Sequence, residues 1–250
     1  MPMALPQTRI NCPQFFLLAM LSIPLMLCDT ANDDHRTFVV VGAGPAGVQW
    51  GLSLLASNIT DFAILEKNDG VGSFFDTYPR KRKLISANKF KGVDHISAEF
   101  GMRHDWHSLL DTDVSFAASG NYSREWYPVA DTLVEYLNEA ARPLKDHLKL
   151  NTEVTNTFFD KLSERWKIET ADGRKFSADH LVIASGYTPI EPPSCLKEEA
   201  EKNGATFYTY GNFPKMETGD EEWCSNRDIW VFGGGNAAWE TTGKTRNVSV

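Results

Sequence analysis

Three glycines placed Gly42-Ala-Gly44-Pro-Ala-Gly47 are the clearest chemical signal in the chain. This is G-x-G-x-x-G, the pattern that holds a dinucleotide pyrophosphate. The first glycine allows a tight turn, the second lets backbone approach the phosphates, and the third lets the following helix pack close. Pro45 and Ala46 fill the intervening positions where a helix would begin. A helix start offers unpaired N–H groups and a positive dipole end to anionic oxygens.

Such a turn works only between the right elements. Thr37–Val41 (TFVVV) is a β-branched apolar run that reads as a buried parallel strand, and Val48–Ala56 has helical spacing. A second short strand, Phe62–Leu65, ends in Glu66-Lys67. Glu66 stands where an acidic residue takes ribose hydroxyls. Strand, glycines, helix, strand and carboxylate together point to a Rossmann-like α/β fold, whereas a glycine pattern alone is weak. Asp69-Gly-Val-Gly72-Ser73-Phe-Phe75 follows at once, an aromatic glycine turn that favours FAD over NAD as the first cofactor. Dinucleotide flavoproteins extend their cradle at this place.

Farther along, Asp131–Ala141 has helical periodicity, with Leu133, Val134 and Leu137 on one face and Pro128 and Pro143 punctuating its ends. Leu148–Thr155 and Trp166–Thr170 alternate as strands do, and Phe176 leads towards Leu181–Ala184. These pieces predict a three-stranded β-excursion, after which the chain returns to the main sheet. Val154, within the first piece, joins the cofactor-binding candidates. The return strand ends in Ala184-Ser185-Gly186, where many flavoproteins carry A-T-G as the chain closes over FAD.

A second signature begins after the apolar strand Asp228–Phe232: Gly233-Gly-Gly235-Asn236-Ala-Ala238, a G-x-G-x-x-A variant running into helix-like Trp239–Thr242. Its cofactor would be NADP or NAD. Residues 36–190 are thus expected to form an FAD-binding domain, and residues 191–250 the beginning of an NAD(P)-binding one. The segment ends within or just after the second helix. The strands that would complete both domains, and any K-D-E-L-type retention signal, would then lie beyond Val250.

At its start the chain carries Arg9 and the uncharged run Phe15–Leu27, the length of a signal-peptide core and short for a membrane span. Residues 1–31 read as a cleaved secretory signal, the rival being a signal anchor or buried helix. No later segment is apolar enough to span a bilayer. A net charge of -8 argues against nucleic acid. Cys195 and Cys224 could pair in an oxidising lumen, and Asn58, Asn121 and Asn247 begin N-x-S/T triplets. His95, His104 and His107 lack the context of a metal site, so no metal is expected. Arg80-Lys-Arg-Lys83 reads as a solvated turn more than a phosphate contact, and Leu84–Asn88 is open to a place beneath the flavin.

Several longer blocks carry a resemblance. Gly72-Ser-Phe-Phe-Asp-Thr-Tyr-Pro-Arg80, Arg82-Lys-Leu-Ile-Ser86, Arg103-His-Asp-Trp-His-Ser-Leu-Leu110, Tyr122-Ser-Arg124 with Tyr127-Pro128, and Gly235-Asn-Ala-Ala-Trp-Glu-Thr241 join Val41–Gly47. Together they resemble the endoplasmic-reticulum flavoproteins associated with degradation, a FAD-dependent oxidoreductase domain-containing family, from about Phe38 to Thr242. The resemblance implies a lumenal FAD protein that works with disulfide-handling chaperones and the degradation machinery for misfolded glycoproteins. Electrons would pass from NAD(P)H through flavin to an external acceptor. The chain has no C-x-x-C for an internal relay. A flavin-dependent monooxygenase is the rival, although Phe207–Pro214 lacks the histidine of that family's segment. An inactive adaptor retaining a flavin fold is a third. No catalytic nucleophile or acid–base pair stands out.

Overall fold

The computed structural model describes residues 33–84, 108–116, 122–123, 125–187, 191–214, 227–242 and 248–249. Strand alternation sets its architecture. In β1 (Asp34–Val41) and β2 (Phe62–Leu65), which pair in parallel, Val40, Phe62 and Ile64 face one way while Val39, Ala63 and Leu65 face the other. Successive side chains on a strand point to opposite faces, so both sides of this sheet must be covered.

Helices cover the first side. α1 (Pro45–Ala56) buries Gly47, Val48, Gly51, Leu52 and Leu54. The one-turn α2 (Phe74–Thr77) contributes Phe75. The amphipathic α3 (Ala130–Ala140) presents Leu133, Tyr136, Leu137 and Ala140 to the same core, matching the predicted helix to within one residue at each end. A 3₁₀ turn at Arg142–Leu144 adds the fully buried Leu144.

A β-meander covers the second side. The sheet order is β3-β2-β1-β6-β5-β4, with β3 at Leu148–Lys149, β4 at Val154–Asp160, β5 at Arg165–Thr170 and β6 at Lys175–Ile183. β3, β2, β1 and β6 run parallel, while β4, β5 and β6 are antiparallel neighbours. Ile168, Phe176 and Ala178 pack with Val39, Ala63 and Leu65.

The predicted excursion differs from this in two respects. Leu148–Thr155 is not one strand. Asn151 takes φ 51 and breaks it, leaving β3 on β2 while β4 starts at Val154. Nor is the excursion separate from the return strand. β6 is continuous, paired with β1 on one edge and, over its first half, with β5 on the other.

A smaller unit follows α4 (Ser194–Lys202): β7 (Ile229–Trp230), α5 (Asn236–Thr242) and β8 (Val248–Ser249), with β7 and β8 parallel. β7 is shorter than the expected Asp228–Phe232. The strand β8 lies beyond the helix where the sequence reading ends the segment. Residues 1–31, His95, His104, His107, Cys224, Asn121, Asn247 and residues 85–88 lie outside the described residues. Cys195 is exposed on α4 and, among the described residues, has no other cysteine to pair with.

The basic run is not a solvated turn. Arg82 is buried and pairs with Asp131 at the start of α3, while Lys83 pairs with Glu125. Arg80 donates to the carbonyls of Tyr210 and Gly211 and lies 4.8 Å from the Tyr78 ring centroid. Backbone bonds Leu84 N–H to Pro128 and Ala130 N–H to Arg82 fix the crossing. Arg82 is the buried member of the run, where an unpaired cation would be costly, whereas the Lys83–Glu125 pair is exposed.

On the helical side, Tyr122 stacks on Phe116 and donates from its hydroxyl to Glu139 Oε2 at 2.8 Å. Burial first, then that bond and the carboxylate's charge, push its pKa up to about 12, and burial raises Tyr136 in the same direction. A tyrosine whose folded pKa exceeds the unfolded value of about 10 stabilises fully below that value. Its contribution is lost as pH rises from about 10 through about 12. Urea unfolding of wild type should therefore weaken over that window, and Tyr122→Phe should weaken less. Equal alkaline losses in both proteins would contradict this placement.

Candidate functional site

The G-x-G-x-x-G turn joins β1 to α1, and each of its glycines meets a different physical demand. Gly42 has φ +102, and a Cβ there would lie 2.6 Å from the carbonyl oxygen of Ala184. A Cβ on Gly47 would lie 1.9 Å from the Gly42 oxygen, so any side chain would push α1 off the strand. A Cβ on Gly44 would meet no atom within 4 Å, which leaves open space beside the N-cap of α1. Pro45, at the first helical position, has no N–H to leave unpaired. Val48 N–H begins the intrahelical ladder on Gly44, so the Gly44, Ala46 and Gly47 amides have no acceptor one turn back.

Glu66 sits at the end of β2, only 6% exposed, and its carboxylate ties the turn together. Oε2 accepts from Ala43 N–H at 2.7 Å. Oε1 accepts from the Asn68 backbone N–H and from Asn68 Nδ2, both at 3.0 Å. The backbone of Glu66 is also held, donating to Lys149 and accepting from Thr152 at 2.7 Å. Lys67 is exposed alongside.

The aromatic glycine turn docks on the same residue from the other side. Gly72 N–H donates to Ala43 C=O at 3.0 Å, and Asn68 Nδ2 reaches Ser73 Oγ at 2.6 Å. Ala184 N–H donates to Val41 C=O, which lays Ala184-Ser185 across Gly42 and leaves Ser185 and Gly186 exposed at the rim. Val154 opens β4 two residues after Thr152 and packs against the core of the meander side. Thus Gly42, Gly44, Pro45, Ala46, Gly47, Glu66, Gly72, Ser73, Ser185 and Gly186 converge on one rim of the parallel sheet, at the carboxyl ends of β1, β2 and β6. Ligands of open α/β sheets bind at those strand ends. Val154 is linked to this rim by chain continuity, two residues after Thr152, whose N–H donates to Glu66 C=O.

The cradle fits a dinucleotide. The space at Gly44 admits a phosphate near three unpaired amides, and a carboxylate accepts about four hydrogen bonds, of which Ala43 and Asn68 fill three. One acceptor position on Oε2 remains for a ribose hydroxyl. Asn68 and the Ala43 peptide were not among the predicted site residues. A side-chain amide two residues past the strand end has no motif to flag it, and a backbone group has none either.

The second turn has the expected order but a looser setting. Gly233 has φ +124, and Cβ atoms on Gly233, Gly234 or Gly235 would meet nothing within 4 Å. Gly235 C=O accepts from the amides of Ala238 and Trp239 at 3.0 and 3.3 Å, which starts α5 at Asn236. A cleft of about 970 Å³ lies beside it, lined by Phe207, Tyr208, Tyr210, Trp230 and Phe232 among others. Among the described residues, no group of His, Cys, Asp and Glu could hold a metal ion.

Comparison with known proteins agrees with this geometry. A family profile described as pyridine nucleotide-disulphide oxidoreductase matches residues 39–247. The FAD-dependent oxidoreductase domain-containing protein 2 of Mus musculus is 32% identical over 230 residues, covering 90% of this chain and 32% of that protein. The chain therefore spans about a third of the length of such curated relatives. A solved complex of OTEMO with FAD and NADP superposes with a TM-score of 0.57 at 16% identity, over 86% of this chain and 38% of that one. Bacillithiol disulfide reductase Bdr (YpdA) of Staphylococcus aureus gives a TM-score of 0.55 at 18% identity, over 86% of this chain and 56% of that one. These two likenesses establish the fold: a mixed α/β sheet of the FAD-binding Rossmann type.

Replacing Glu66 by Gln tests whether its carboxylate anchors the turn. One end of the amide must face donors it cannot accept from, leaving a buried N–H unsatisfied. Such a loss costs about 1–3 kcal/mol. The midpoint of urea unfolding should fall accordingly, and a midpoint equal to wild type would refute the anchoring role.

Proposed function

The chain belongs to the pyridine nucleotide-disulphide oxidoreductase family, and on that premise we propose that it binds FAD at the first glycine turn. The observation that carries this reading is the Ala43–Glu66 hydrogen bond, which presents a buried carboxylate at the ribose position beside open phosphate space. Bound flavin would supply two-electron redox chemistry. The chain's own residues would do the placing. Gly44, Ala46 and Gly47 amides and the dipole of α1 would meet the pyrophosphate, and Glu66 with Lys67 beside it would take the ribose. Gly72-Ser73 and Ser185-Gly186 would flank the flavin side, with Val154 supporting the strand that closes it.

The β7–α5–β8 unit, with Gly233, Gly235, Asn236 and Ala238 at its turn, is the proposed NAD(P) side. This assigns residues 36–190 to an FAD-binding domain and residues 191–250 to the start of an NAD(P)-binding domain. The overall reaction proposed is electron transfer from NAD(P)H through flavin to an external acceptor. The acceptor proposed is the disulfide of a partner, since the chain contains no C-x-x-C to act as its own relay. The proposed setting is the lumen of the endoplasmic reticulum, beside disulfide-handling chaperones and degradation machinery, and it rests on the sequence blocks that resemble the flavoproteins of that compartment. Entry would use residues 1–31 as a signal peptide.

The visible absorbance of the purified chain, with the released cofactor identified by chromatography, is the direct test. Stoichiometric FAD, bleached on adding NADPH or NADH, is the expected result. A soluble, folded protein with no flavin would overturn FAD binding for this chain. Bound flavin that neither nucleotide reduces would overturn the assignment of the second turn.

A further inference from the structure

Two of the hydrogen bonds to the Glu66 carboxylate come from Asn68, a residue that no motif marks. A buried carboxylate is useful to a ribose only if some acceptor capacity stays free and the group cannot swing away. Oε1 takes two donors from Asn68, the backbone N–H and Nδ2, each at 3.0 Å. Oε2 takes one, from Ala43. The carboxylate is thus pinned at both oxygens, with its open acceptor position on Oε2.

The orientation of the Asn68 amide follows from its neighbours. A carboxylate oxygen cannot donate, so the nitrogen end must face it. That same nitrogen reaches Ser73 Oγ at 2.6 Å, which links the ribose carboxylate to the turn on the flavin side. Asn68 is itself fixed. Its carbonyl accepts from Asn151 N–H at 3.0 Å, and the next residue, Thr152, donates its N–H to Glu66 C=O at 2.7 Å. Arg174 Nη2 donates to Thr152 Oγ1 at 2.7 Å and so holds this bend from the meander.

We propose that Asn68 is the positioning residue of the ribose subsite: its amide locks the Glu66 carboxylate with one acceptor on Oε2 facing the ligand and couples it to the Ser73 turn. The proposal rests on the FAD reading above. It makes Asn68 a determinant of affinity for ligands with ribose hydroxyls, and it leaves the phosphate contacts to the α1 turn. Losing the side-chain amide would leave Oε1 held by the backbone N–H of residue 68 alone, which loosens the carboxylate, and would also strip Ser73 Oγ of its donor.

The test uses the full chain as wild type, Asn68→Ala and Asn68→Asp, with FAD, ADP and 2′,3′-dideoxy-ADP as probes. Asn68→Ala should weaken FAD and ADP by about tenfold, the size of one lost charge-assisted hydrogen bond. Asn68→Asp, which keeps the shape but sets a carboxylate against Glu66, should weaken them further. Dideoxy-ADP, lacking the hydroxyls, should bind all three proteins alike. A merely structural role would lower ADP and dideoxy-ADP together, and that outcome overturns the proposal. Should Asn68→Ala fail to fold, the isosteric Asn68→Asp carries the comparison. Wild type that binds FAD, with unchanged affinity in both variants, overturns the proposal alone. Wild type that binds neither FAD nor ADP overturns the FAD reading and this proposal with it.

Discussion

The peptide of Ala43 is the point on which the site depends. Its N–H is fixed by Glu66 Oε2 at 2.7 Å, and its C=O is fixed by Gly72 N–H at 3.0 Å. The residue is wholly buried, so neither bond competes with water. Through these two bonds the phosphate turn, the end of β2 and the aromatic glycine turn move as one piece. Gly42 and Gly47 follow from this arrangement. With Ala43 held down, the backbone before it must take φ +102 and the helix after it must lie against the Gly42 carbonyl. A carboxylate at the end of β2 is therefore a structural part before it is a ligand contact.

The same bond explains why the sheet needs its meander. Glu66 is kept buried and in register by Thr152, and Thr152 is held by Arg174 from the β5–β6 hairpin. Arg174 is in turn fixed by Asp172, whose carboxyl lies well below the usual carboxylate range, chiefly through the Arg174 and Thr170 side-chain hydrogen bonds. Both groups are exposed enough that solvent screens the pair, so its worth lies in orientation more than in net stability. Packing of Ile168 and Phe176 on Val39 and Leu65 supplies the cohesion, and the polar chain supplies the aim.

What sequence could reveal divides along physical lines. Gly42, Gly44, Gly47, Glu66 and Gly72 were legible because their constraints are local: a turn, a helix start, a strand end. The helix at 130–140 was legible because a 3.6-residue period survives any packing partner. Asn68 was not legible, since its importance is a pair of distances that depend on how the turn closes. The basic run Arg80–Lys83 misled for a related reason. Charge in a short segment suggests a solvated surface, yet Asp131, Glu125 and the carbonyls of Tyr210 and Gly211 that meet it are distant in sequence. The break in Leu148–Thr155 was hidden because alternation continues through Asn151, and only its φ of 51 separates β3 from β4.

The two glycine turns, alike in sequence, differ in what determines their shape. The first is held from three directions, by Glu66, by Gly72 and by Ala184, and side chains are excluded at two of its glycines by backbone atoms closer than 3 Å. At the second, Gly235 C=O accepts from Ala238 and Trp239, and the flanking Trp230, Phe232 and Trp239 are largely exposed. A ligand's affinity is reduced by the ordering its site still has to undergo. The first turn meets a dinucleotide with its donors already placed, so little of the binding free energy goes into arranging it. The second has open space at each of its glycines and exposed aromatic faces beside them. The glycine pattern is thus a permission for close approach, and the surrounding contacts decide whether the approach is prepared in advance.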